Sequence, residues 1–179
     1  MIKKILILAA LATGAAGLQA EDSHPFQASL TPDIAIYPKT AEIHGLSLSI
    51  WGENPQQGVA LGIVNGSTGD SAGFSWGIVN YSEASTGVSW AWVNINQTSF
   101  HGWQYGLVSV AQGEFVGFQS SWIVNYAKNF TGLQLGLVNY TENLRGVQIG
   151  LANIAMNNPW FHEFPDKLAT GFPIVNWSF

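Results

Sequence analysis

Residues 132–139 read G-L-Q-L-G-L-V-N, and residues 146–153 read G-V-Q-I-G-L-A-N. Earlier copies open at Gly45, Gly58, Gly73, Gly87, Gly102 and Gly117, so the leading glycines stand 13, 15, 14, 15, 15, 15 and 14 residues apart. A period of this kind outranks any local motif, because each repeat is one structural unit that cannot bury its apolar face alone. Inside an octet the residues alternate, which is the periodicity of a strand and not of a helix. Leu133, Leu135 and Leu137 share one face; Gly132, Gln134 and Gly136 share the other. The large face recurs as Val59/Leu61/Ile63, Phe74/Trp76/Ile78 and Trp103/Tyr105/Leu107, and the small face carries Ser, Ala or Gln at its centre. Residues 117–125 hold one residue too many, as a β-bulge would.

No octet contains a charged residue. Asp70, Glu83, Glu114, Lys128, Glu142 and Arg145 all fall in the connectors between octets, which have turn composition. Short polar turns between alternating segments predict antiparallel hairpins with no crossover helices. Only 9% of the chain is charged, against about 25% in an ordinary soluble domain. A large face that never meets water would account for this.

The first 20 residues read as a secretory signal peptide: Lys3 and Lys4, an apolar run, then Leu18-Gln19-Ala20 before Glu21. The expected mature domain is then residues 21–179, with octet repeats over 45–153, a long loop at 154–170 and a last strand at 171–179. The formal net charge is −5, and only six strong bases exist, two of them in the leader. That excludes the basic patch a nucleic-acid partner requires. The absence of cysteine excludes disulfides, thiolate metal sites and a cysteine-linked lipid anchor.

Two architectures fit an all-β chain of this pattern. The first is an antiparallel up-and-down β-barrel of about ten short strands in the outer membrane, large residues toward lipid and Gly, Ser and Gln inside. The ten would be 26–37, 41–51, seven between 56 and 154, and 168–179. The alternative is a soluble β-solenoid or stacked β-repeat whose core is the large face. In the barrel, Gln104, Gln119, Gln134 and Gln148 would form an amide ladder in a narrow lumen.

The tandem G-Φ-x-Φ-G-Φ-Φ-N octets resemble a family of exported bacterial surface-repeat proteins, and the resemblance covers residues 45–153. It implies an envelope location and no particular activity. The alternating last strand, ending in Phe179, resembles the C-terminal signature of outer-membrane β-barrel proteins. That likeness implies the barrel-assembly machinery as a partner, through Phe179, and membrane lipid as the surroundings.

No acid, base and nucleophile converge in a recognisable spacing, so the reading is of a non-enzymatic envelope protein without metal or cofactor. Gly73-Phe-Ser-Trp-Gly77 matches a nucleophile elbow, but it is one copy of the octet, and Ser75 is read as repeat. His24, His44 and His101 are isolated. The long loop holds Trp160, Phe161, His162, Glu163, Phe164 and Asp166, an expected ligand or partner contact or a flap over one end of the fold. Trp76, Trp90, Trp92, Trp103 and Trp122 would contact lipid, pack in a core, or stack a glycan if open to water.

Overall fold

The computed structural model describes residues 23–179; the leader at 1–20 lies outside them. The described residues are all-β and contain no helix. Five elements, β1 (Ser23–Thr31), β2 (Ile34–Ala35), β3 (Glu42–Asn54), β4 (Gln56–Ala155) and β5 (Gly171–Ser178), make one mixed sheet in the order β2-β1-β3-β4-β5. β1 runs parallel to β3, and β3 parallel to β4. β2 and β5 pair antiparallel at the two ends.

β4 is 100 residues of continuous strand. Laid out straight it would reach about 330 Å, so it must wind. Its pairing with β3 shows how: Ile43 lies opposite Gln56, Gly45 opposite Gly58 and Asn54 opposite Ser67, a constant offset of 13. That offset is the first step of the sequence repeat. Farther on, Phe100, Phe115 and Phe130 stack ring on ring at 5.2 and 5.3 Å, and Tyr126 stacks on Tyr140 at 5.4 Å. The chain therefore returns over itself once per repeat, and each octet lies parallel on the one before.

This corrects the antiparallel barrel. The sheet is not closed, and the octets pair parallel. The physical reason lies in the connectors. Residues 66–72 and 140–145 are themselves extended, so each carries the chain back along the far wall of the turn before the next octet starts. Polar composition marked them as solvated, which is correct for a far wall as much as for a hairpin turn.

The interior is the small, amide-bearing side. Phe100, Phe115, Phe130 and Leu144 line one edge with Ala111, Ala127 and Ala155. Gln104, Gln119, Gln134, Gln148, Asn94, Asn125 and Asn139 are buried beside them. The large face points outward. A turn of 13 to 15 residues is two walls set close together, and the gap between them cannot take opposed Leu and Trp. The alternative that made the large face the core is corrected too, since the amide-bearing face is the buried one.

The octet can now be read atom by atom. Its opening glycine has φ near +130° (Gly132, 132°), where a side chain is strained, and a Cβ there would strike the carbonyl oxygen of Gly117 in the preceding row. Its third residue supplies the Gln ladder: Gln148 donates to Gln134 Oε1 at 2.8 Å, Gln134 to Gln119 at 2.8 Å and Gln119 to Gln104 at 3.3 Å. Its last residue supplies an Asn ladder of opposite direction, in which Asn125 donates to Asn139 Oδ1 and Asn139 to Asn153 Oδ1, both at 2.8 Å. The two columns of amide dipoles therefore run antiparallel and offset one another.

The fifth-position glycine serves the Asn ladder. Asn65, Asn94, Asn125 and Asn139 each donate to the fourth-position carbonyl of the next row, at Trp76, Tyr105, Leu135 and Ile149. In each of those next rows the fifth residue is glycine, and a Cβ on Gly136 would sit 2.6 Å from Asn125 Nδ2. Where Ala91 replaces it, the preceding Asn80 turns away and donates to Ser75 O and Ser89 Oγ instead.

Candidate functional site: an uncharged apolar face

Because the octets stack in register, their second, fourth and sixth residues form three outward columns. The rows come from β1, β3, the seven octets of β4, and β5. Leu48, Ile50, Ile63, Trp76, Ile78, Trp90, Trp92, Trp103, Leu107, Leu133, Leu135, Leu137, Ile149 and Leu151 are all exposed there, Trp92 at 62% and Leu151 at 71%. At a row spacing of ~4.8 Å and ~6.6 Å between alternate residues, the face measures roughly 43 by 13–20 Å, or about 600–900 Å². The largest apolar patch on an ordinary monomer is about 300–600 Å². No charged side chain interrupts it within the octets.

The face has relief. At residues 117–125 the extra residue puts Ser120 in the fourth-position column, where the neighbouring rows carry Tyr105 and Leu135. The result is an open hollow of about 540 Å³ lined by Tyr105, Ser120, Trp122, Leu137, Leu151 and Ile174. Within it Trp122 Nε1 donates to Tyr105 Oη at 2.8 Å. Ile174 on its rim has φ 70°, a costly conformation for a β-branched residue. A second hollow of about 500 Å³, at the other end of the same face, is lined by Leu30, Ile34, Ile36, Leu48 and Ile50. Between them the indoles of Trp76, Trp90 and Trp92 stand out as a ridge. Trp90 meets Tyr105 edge-on at 5.2 Å, which braces that side of the ridge, and beyond it Trp103 stacks on Phe118 at 6.0 Å. The extra residue at 117–125 was visible in the sequence as a bulge; that it opens a hollow depends on the neighbouring rows.

The other predicted residues are dispersed. Gln104, Gln119, Gln134 and Gln148 are fully buried between the two walls of the stack, in no barrel lumen. The long loop folds over the last row. Phe161 N donates to Leu168 O, Leu168 N to Trp177 O and Phe179 N to Asp166 O, while Trp177 Nε1 donates to Pro165 O at 2.8 Å. Leu168 and Ala169 are buried beneath it. Glu163 pairs with Lys167 at 2.7 Å. Trp160, Phe161, His162, Phe164 and Asp166 are exposed at the surface of this cap. Among the described residues no group of three or more His, Asp and Glu could hold a metal.

Ser75 lies mid-strand in β4 and not at a strand-to-helix turn. His24 stacks on Tyr37 at 3.6 Å, His44 pairs with Glu42 at 2.8 Å, and His101 is exposed. At the border of the face Trp51 Nε1 donates to Tyr81 Oη at 3.2 Å, and Tyr81 donates to Glu53 at 2.9 Å. Burial first, and then the Glu53 carboxylate, raise the Tyr81 phenol above its ordinary value, against the opposing Trp51 hydrogen bond. Searches against protein-family models, curated proteins and solved structures return no match to the chain.

Proposed function

We propose that the chain is a non-enzymatic, exported protein of the bacterial cell envelope, a stacked β-repeat that acts by surface binding through its uncharged apolar face. The observation that carries this is the face itself: an outward, charge-free array of Trp, Leu and Ile, larger than a monomer in water ordinarily leaves bare. Export is inferred from the basic and apolar leader, and the envelope location from the surface-repeat resemblance. A membrane-spanning barrel needs every backbone group paired in a closed sheet, and the sheet here is open at β2 and β5. The reading therefore takes the face as a docking surface and the long loop as an end cap.

Fractionation tests this. Cells producing the chain should export it, and an alkaline carbonate wash should release it from the envelope. Retention through that wash, together with boiling-dependent mobility on a detergent gel, would overturn the reading in favour of a barrel.

A further inference from the structure

We propose that the apolar face is covered by a second copy of this chain, turned end for end about an axis along the strands. The inference rests on the reading of the face as a docking surface and names its occupant. Four observations support it.

The first is area. The eight rows that overlap in the favoured register offer about 450–700 Å², which reaches the lower end of the standard range for a stable specific interface, about 600 Å² from each partner. The second is charge. An acidic chain with no Lys or Arg in its octets lacks the basic residues that draw a surface to anionic lipid, whereas an uncharged sheet meets its own copy without repulsion. The third is that the indole N–H of Trp122 in the hollow is already paired, with Tyr105 Oη, so covering the hollow does not strand that donor.

The fourth is self-complementarity. Two sheets face one another under a twofold axis in the plane between them. An axis along the strands reverses the order of rows and keeps each column opposite itself. Placed between the rows of Gly102 and Gly117, it sets the row of Trp90 and Trp92 over the partner's row of Leu135 and Leu137. The protruding indoles of each copy then fall on the 540 Å³ hollow of the other, and eight of the ten rows overlap. The same ridge aligned on the hollow near Leu30 and Leu48 would overlap about half the rows, so the first register is favoured.

Sedimentation equilibrium of the chain at micromolar concentration should give twice the mass of one chain. Trp92→Glu, at a position 62% exposed, should keep the β circular-dichroism signal and raise the dimer dissociation constant at least about 30-fold. A chain carrying Trp92→Cys and Leu137→Cys should oxidise to a covalent dimer. The two sites lie three rows apart within one copy, about 14 Å, too far to bridge internally. A chain carrying Leu30→Cys and Leu48→Cys should form no covalent dimer. A folded monomer that partitions onto phosphatidylcholine vesicles or an immobilised glycan overturns the dimer and leaves the docking reading standing. A folded monomer that binds neither overturns both. An oligomer unaffected by Trp92→Glu overturns the dimer, since it would form through another surface.

Discussion

At the scale of the residue, the octet is a set of steric and hydrogen-bonding requirements. Gln134 accepts from Gln148 and donates to Gln119, and it is fully buried. Gln134→Glu keeps the shape but removes the donor and buries a carboxylate with no cation beside it. We expect a loss of roughly 3 kcal/mol at neutral pH, read from urea unfolding. The buried carboxyl will have its pKa raised above the unfolded value of about 4.3, so the charge-dependent part of the defect should shrink as pH falls through the raised folded-state pKa and be gone below about 4.3. Leu135→Arg, one residue along but outward, should change the fold's stability by no more than about 0.5 kcal/mol in the monomer. Gly136→Ala should cost about 1–2 kcal/mol, because its methyl would meet both Asn125 Nδ2 and the backbone oxygen of Ser121 at 2.6 Å, which displaces Asn125 from Leu135 O and presses on the preceding row. An amide-proton shift at Asn125, turning the side chain as Asn80 turns beside Ala91, would be its signature. Unchanged Asn125 resonances would refute this account of the fifth-position glycine.

At the scale of the element, the ends of a stack are its weakness, since an open row exposes unpaired backbone. β5 and the loop after residue 155 close the C-terminal end. Their joint is Trp177, which donates to Pro165 O and packs against Phe164 at 6.4 Å. Trp177→Ala should release the loop. Limited proteolysis should then cut between residues 159 and 167 at least about tenfold faster, with the far-ultraviolet spectrum retained. Equal cleavage rates would mean that the backbone bonds of Phe161, Leu168 and Phe179 hold the cap alone. The loop's length and aromatics were legible in the sequence as a candidate contact or flap. Its anchoring was not, because Leu168 and Ala169 become core only when the last row exists beneath them.

At the scale of the whole molecule, charge and apolar surface are segregated: the octets carry no charge, and after β3 all of it falls in the connectors and the long loop. Self-association through the octet face should therefore be almost insensitive to salt. Between 0.1 and 1 M sodium chloride the dimer dissociation constant should move by less than about twofold, whereas an interface held by ion pairs would weaken with screening. Sulfate should tighten it. Sedimentation across a salt series reads this directly, and steep weakening in sodium chloride would place the contact on the charged connectors.

From the amino acids alone came the unit, its period, the alternation within it, the absence of charge from the octets and the equivalence of Gln104, Gln119, Gln134 and Gln148. Local chemistry settles those, because side-chain alternation and the needs of each glycine act within a few residues. Alternation is symmetric, however: it divides Leu135 from Gln134 without saying which points inward. Nor does a polar connector say whether it turns the chain back as a hairpin or carries it round to stack in parallel. The tertiary structure decided both through one constraint. The 13-to-15-residue turn leaves a gap between its walls that admits amides, alanine and a single stack of phenylalanine, and the large side chains can only go outside.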